Sequence, residues 1–294
     1  MRQAQGRTLA GVTPLAFTLV LVAAFAHAGW NALSKRAPGG ATFVWTQMVV
    51  GSVCMVPVAA AGIWLDDGAR VSFVIVLIGI ASGCSHALYF VLLQRGYATG
   101  DLSLVYPLAR GTGPIFATAG AIVLLGEHPG PLALAGTAAI TVGVVLLLVT
   151  RGLARGRALA YALLTGLLIG VYTVWDGHAV RGSHAEPLVY LLIASLTIAL
   201  VLTPAALRNR GDVQLLRRDH LRVVAIVGVL VTLSYALVLF ATRIAGVAYV
   251  APVREVSILI GAAFGTYYYA ERGGWQRLAG AAAIVGGVIA LALS

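Results

Sequence analysis

Between Asp101 and Glu127 the chain sets an arginine, two prolines and a tyrosine inside an apolar run long enough to cross a lipid bilayer. An arginine near the middle of a membrane helix is unfavourable by roughly 2.5 to 3.5 kcal/mol, so Arg110 needs a partner. The sequence supplies one. Shifting the chain on itself by 145 positions lays Pro107 on Pro252 and Arg110 on Glu255, which gives the base to one copy and the acid to the other. After a slip of one residue Glu127 falls on Glu271, and the segments that follow, LALAGTAAITVGVVL from Leu132 and QRLAGAAAIVGGVIAL from Gln276, share many of their residues. The chain reads as an internal duplication, with one repeat over 14–150 and the other over 158–293.

Hydrophobic residues make up 60% of the chain and charged ones 10%, a mix outside the soluble range. Ten apolar runs of about membrane length start near Pro14, Ala41, Val71, Leu102, Pro131, Ala158, Pro187, Leu221, Val247 and Trp275. The expected fold is therefore all-α: a polytopic membrane protein whose ten transmembrane helices form two homologous five-helix inverted repeats. Short loops leave no room for a soluble domain, so any ligand chemistry must lie inside the bundle. No Walker A loop, HExxH or GxGxxG is present, which excludes nucleotide-driven pumping and zinc hydrolysis within this chain. No enzyme activity, cofactor or metal is expected. Cys54 and Cys84 lie in separate runs without metal-ligand spacing and read as core packing.

The first run ends in Ala26-His27-Ala28, superficially a signal-peptidase site. The repeat argues against cleavage, because the same shift lays Trp30-Asn31 on Trp175-Asp176 and Arg36 on Arg181, making this helix part of the mature fold. Helical spacing puts His27, Trp30, Asn31 and Ser34 on one face, and Tyr172, Trp175, Asp176 and Ala179 on its counterpart. Asp176 and His178 lie near a helix end and are expected in an interfacial, solvated setting. The second run offers Thr42, Thr46 and Gln47 near one end only, which suits the edge of the bundle without chemistry. In the third run Ser82, Ser85, His86 and Tyr89 share a face, and the eighth answers with Thr232, Tyr235, Leu239 and Thr242.

The fourth run carries Ser103, Tyr106, Pro107, Arg110 and Pro114. A proline inside a helix removes one backbone hydrogen bond and pushes back the carbonyl four residues earlier. Pro107, Pro114 and Pro252 are therefore expected hinges, and helices four and nine the broken or kinked pair that lines a cavity. The fifth and tenth runs carry no core charge and are rich in Gly and Ala (Gly136, Gly143, Gly280, Gly286, Gly287), which suits close packing and offers a surface for a homodimer. Glu127 and Glu271 are expected to anchor interfacial loops, and Tyr267 to Tyr269 to form an aromatic belt.

Lys and Arg divide unevenly between the two sides. Arg2, Arg7, Arg70, Arg181 and Arg243 fall on the side of the termini, whereas the thirteen others outside the membrane fall opposite, with a cluster from Arg208 to Arg222. The positive-inside rule then puts the termini outside the cytoplasm. The formal charge of +10 is thus an orientation signal, and the absence of a basic groove with interleaved aromatics excludes nucleic acid.

Two five-helix repeats, the Trp-Asn of helix one, the GDLSLVYPLARG block before a Gly-Glu and the Gly/Ala-rich fifth helix together resemble the EamA-type transporters of the drug/metabolite transporter superfamily. The resemblance implies ten helices, a cavity between the halves, no ATPase, and the export or import of small metabolites. It also implies cytoplasmic termini, the reverse of the charge count.

These readings give one functional expectation: a secondary transporter, an exporter or exchanger, moving a small polar or amphipathic metabolite by alternating access in a bacterial-type inner membrane. The rival is a non-transporting accessory or sensor protein, for example one that handles a lipid carrier. The expected substrate site comprises Arg110, Glu255, Arg254, Tyr106, His86, Tyr89, His27, Trp30, Asn31, Tyr172, Trp175, Asp176 and Tyr235. A proton gradient is the expected driver, with Glu255, Asp176 and the two histidines as carriers, and facilitated diffusion is the alternative. An anionic or zwitterionic ligand would take Arg110 or Arg254, and a cationic one Glu255. The alternative for Arg110 and Glu255 is a structural pair that locks the halves together.

Overall fold

The computed structural model describes residues 13–34, 37, 40–65, 71–99, 102–148, 156–260, 263 and 275–294. Among them are eleven α-helices: α1 (Pro14–Ser34), α2 (Ala41–Leu65), α3 (Phe73–Thr99), α4 (Leu102–Leu125), α5 (Pro131–Leu148), α6 (Gly156–Gly177), α7 (Pro187–Arg208), α8 (Arg210–Asp219), α9 (Leu221–Ala245), α10 (Val247–Val253) and α11 (Trp275–Ala292). A π-helical turn, His178–Gly182, prolongs α6. Among the described residues seven helices are long and apolar enough to cross a membrane, and α5 and α11 contain shorter apolar helices. The Glu271 and Tyr267 to Tyr269 expectations lie outside the described residues.

Local chemistry sets the helix ends. Proline stands at the first position of α1, α5 and α7, where its missing N–H costs nothing. Before α7 the Glu186 carboxylate accepts from Val189 N at 2.7 Å, and before α1 and α3 the hydroxyls of Thr13 and Ser72 accept from Ala16 N and Ile75 N. Gly246, at φ +89°, ends α9 and starts α10 in a conformation that other residues rarely adopt.

The sequence reading has a loop between the seventh and eighth runs, where the structure has α8. Asp212 in its first turn and Arg217 and Arg218 in its last suit the helix dipole. Leu216 anchors it, buried with Phe43, Val224 and Val227, while its arginines stay exposed. The expected break is found in one place only. α4 stays helical through Pro107 and Pro114, whereas α10, just past Pro252, stops at a turn of Arg254 and Glu255 before helical residues 256–260.

Helix pairing follows the duplication. α1 packs on α9 as its equivalent α6 packs on α3, and α2 packs on α9 as α7 packs on α3. The equivalents α2 and α7 meet each other, as do α5 and α11. Only glycine allows the last contact: a Cβ on Gly143 would lie 2.6 Å from the carbonyl oxygen of Gly280, and one on Gly136 2.7 Å from that of Gly287. The glycine faces expected to offer a homodimer surface are thus used inside the chain, with Gly286 facing open space.

Leu77, Val123 and Leu200 are among the many large apolar residues on the outer face of the bundle. A lipid-facing exterior explains them, since water would not tolerate so large an apolar patch. Cys54 and Cys84, expected in the core, lie on this exposed face as free thiols. Their runs are apolar on every side, so hydropathy alone could not say which side points inward.

Candidate functional site

The equivalent residues of opposite charge meet. Arg110 Nη2 lies 3.0 Å from Glu255 Oε2, with both side chains buried. The turn that interrupts α10 places Glu255, its N–H held by Pro252 O, to face α4. Arg254 is also buried, and its Nε is 3.9 Å from Glu255 Oε1, beyond hydrogen-bond reach. Removing two charges from water costs about as much as their attraction returns, so the pair is weak evidence of a role in stability.

A cavity of about 380 Å³ reaches this centre. Both arginines line it, whereas Glu255 does not. His27, Trp30 and Asn31 of α1, His86 and Tyr89 of α3, Tyr172 of α6 and Tyr235 of α9 also line it, as the helical faces require. The His86 ring stacks on Tyr172 at 3.9 Å between centroids and meets Tyr235 edge-on at 5.4 Å. Its Nδ1 donates to Ser82 O at 2.9 Å, which holds the imidazole in one orientation. His27 stands edge-to-face with Trp30, and Asn31 Nδ2 donates to His27 O.

The cavity runs to the end of the bundle where α1 stops, α2 begins and α3 stops, at Gly40, Gln94 and Tyr97. α8 sits at this same end, since Leu216 shares a cluster with Phe43 and with Trp30 and Leu33 of α1. The opposite end is tied shut. Glu127, just after α4, accepts from Arg181 Nη1 at 2.7 Å, from Val247 N at 2.9 Å and from Ala248 N at 2.8 Å. One carboxylate thus joins the first repeat to the π-helical turn and to the start of α10. A Cβ on Gly246 would fall 2.5 Å from Arg181 Nη1, so the clasp also requires glycine there.

Besides Glu255, two expected site residues lie off the cavity lining. Trp175 is 42% exposed on the outer face, its Nε1 donating to Ile78 O. Asp176, expected in solvent near a helix end, is 2% exposed. α6 does not end in water there but continues into the π-helical turn, and three hydroxyls donate to the carboxylate: Ser82 Oγ and Tyr190 OH at 2.6 Å each to Oδ1, and Tyr235 OH to Oδ2. Asp176 therefore sits behind Tyr235, outside the cavity lining. The side chains of Tyr106 and Pro107 lie outside the described residues.

The second run, read as an edge helix without chemistry, supplies Phe43, Val44, Gln47 and Met48 to the wall. α2 is held between α7 and α9, so Gln47 is buried. Ser195 of α7 and Gln94 and Tyr97 of α3 are further lining residues that sequence reasoning missed. An isolated glutamine in an otherwise apolar run was the available signal for Gln47. Ser195 has none, since a lone serine in a membrane helix commonly bonds its own backbone.

The model of the EamA-like transporter family matches residues 14–149 and 156–293. No curated protein matches significantly. Among solved structures, one crystal structure superposes with a TM-score of 0.76 over 94% of this chain and 95% of that one, at 15% identity, a likeness of fold alone.

Proposed function

Because this chain belongs to the EamA-like transporter family, we propose that it is a secondary transporter that carries a small polar or amphipathic metabolite by alternating access of two inverted five-helix repeats, with ten membrane crossings, α5, α11 and the broken α10 segment among them. One observation carries the reading: the central cavity reaches one end of the bundle and is tied shut at the other by Glu127. A one-sided cavity at the interface of two repeats is what alternating access requires of either end state.

By the distribution of arginines the open end, with α8, faces the cytoplasm of a bacterial-type cell, and the termini face outward. The driving force in this reading is a proton gradient. Ligand beside Arg110 weakens its bond to Glu255, and Glu255 then takes the proton.

Reconstituted vesicles test the function. A metabolite panel should yield flux with the wild type and little with Arg110→Ala. No flux from any solute, with wild type and variant alike in cells, would remove the transporter reading in favour of an accessory or sensor role. Accumulation undiminished after the gradient is collapsed would remove the proton.

A further inference from the structure

Resting on the transporter reading, we propose that the cavity selects amphipathic organic anions, with Arg254 holding the carboxylate or phosphate head. Among the described residues the buried charged side chains are two arginines, Arg110 and Arg254, and three carboxylates, Asp176, Glu186 and Glu255, but they are not distributed alike. Arg110 and Arg254 both line the cavity. Glu255 is fully buried behind the wall and paired with Arg110, and both oxygens of Asp176 accept hydroxyl hydrogen bonds away from the lumen. Among the described lining residues there is no carboxylate. The surface a ligand meets is therefore cationic, although buried carboxylates outnumber buried arginines among the described residues.

Arg254 is the residue with capacity to spare. It is 5% exposed, it faces the cavity, and its Nε has no hydrogen-bond partner among the described residues. The ion pair with Glu255 Oε1, at 3.9 Å, does not supply that bond. A buried Nε–H without an acceptor is costly, and a carboxylate or phosphate satisfies it with two parallel bonds, to Nε and to an Nη. The arginine is held by a helix break, at the C-cap of α10, so its backbone is fixed against the cavity floor. The walls beyond it, Phe43, Val44, Met48, Phe90 and Leu93, are apolar. A ligand with an oxyanion head and a hydrophobic body fits both parts. A cationic ligand would find the one central acid behind the wall, and the ammonium of a zwitterion would find no carboxylate in it.

The charge of the cavity can be read without knowing the ligand. Ser195 lines the cavity and is conservatively replaced by cysteine in a chain whose two exposed cysteines are changed to serine. The Ser195→Cys protein in nanodiscs is treated with two thiol reagents of similar size, the anionic sulfonatoethyl and the cationic trimethylammonioethyl methanethiosulfonate. The ratio of their rates is divided by the ratio for a small thiol in solution. The proposal expects this quotient to favour the anion, to fall about fivefold in Arg254→Gln, as removal of one charge from the same cavity lining implies, and to persist in Arg254→Lys. A quotient that favours the cation, or one that Arg254→Gln leaves within twofold of its starting value, overturns it. Should Arg254→Gln not fold, the wild-type quotient and that of Arg254→Lys still decide. Labelling needs no flux, so a chain that carries no solute would leave the anion preference standing. Flux of an organic cation with the reagent preference reversed would overturn the anion assignment and leave the transporter reading intact.

Discussion

Glu127→Gln should release the closed end of the cavity. In the wild type two backbone N–H groups at the start of α10 and one guanidinium donate to its carboxylate. Hydrogen bonds to a charged acceptor contribute about 1.5–3 kcal/mol each, and neutral ones about 0.5–1.5 kcal/mol. A glutamine keeps one oxygen, so one backbone bond is weakened to the neutral value and the other is replaced by an amide N–H facing an N–H. The loss is about 3 kcal/mol. The Arg181 contribution is small beside it, because that side chain is 27% exposed and screened by solvent. If the clasp exists only in the conformation described here, about 3 kcal/mol shifts the balance toward opening at this end by about a hundredfold. Thr242 reports on it: it is buried in α9, and its carbonyl accepts from Gly246 N beside the clasp. In a chain without other cysteines, Thr242→Cys should react with a membrane-impermeant maleimide about a hundredfold faster when combined with Glu127→Gln, and only a few times faster with Arg181→Gln. Equal labelling rates in the presence and absence of Glu127→Gln, at unchanged helical content, would refute the argument. So would an Arg181→Gln effect larger than that of Glu127→Gln.

The other predictions concern packing and the buried charges. Gly143→Leu should lower stability by about 1–3 kcal/mol or separate α5 from α11, because its Cβ alone would lie 2.6 Å from Gly280 O; thermal unfolding in detergent measures it. Asp176→Asn places an amide N–H among hydroxyls that now donate to a carboxylate and should cost about 2 kcal/mol by the same assay, whereas Tyr235→Phe, which leaves two donors in place, should cost less. Arg110→Glu and Glu255→Arg should each lower stability by about 3–5 kcal/mol, since each buries an uncompensated charge. The double swap should recover most of that loss, and a double variant no more stable than either single one would deny the pair its mutual role. Recovery of stability without flux would mean that Arg110 itself meets the ligand.

Much of the architecture was legible because membrane crossing leaves few options. Backbone polar groups in hydrocarbon must be satisfied within the segment, so each apolar run became a helix close to its expected start. Where water was available the sequence signal weakened. The stretch from Arg210 to Asp219 looked like a charged loop, yet a single apolar anchor, Leu216, and charges placed along the helix dipole were enough to make α8. Proline was also ambiguous. α4 runs unbroken through two prolines whereas α10 stops just past its one, so the residue type alone did not say which helix would break.

The site was legible where duplication supplied long-range information. Periodicity says which residues of one helix share a face, but not which helix that face meets. The equivalence of Arg110 and Glu255 under the repeat added that missing link, because equivalent positions close to a two-fold axis come close to each other. Gln47 had no such link, and for Asp176 the link pointed the wrong way. Asp176 falls opposite Asn31, a residue that bonds its own helix and lines the cavity, so the repeat suggested a shared role that burial does not bear out. The difference is itself informative about how a duplicated chain departs from symmetry. A two-fold site made of identical residues would present like charges to itself at low dielectric, which is costly. Divergence at one equivalent pair, to arginine in one copy and glutamate in the other, removes that repulsion, and a further arginine at 254, where the other copy has Ala109, gives the lumen one arginine from each copy while Glu255 stays behind the wall. The asymmetry of charge within a symmetric frame is what gives the cavity a chemical direction.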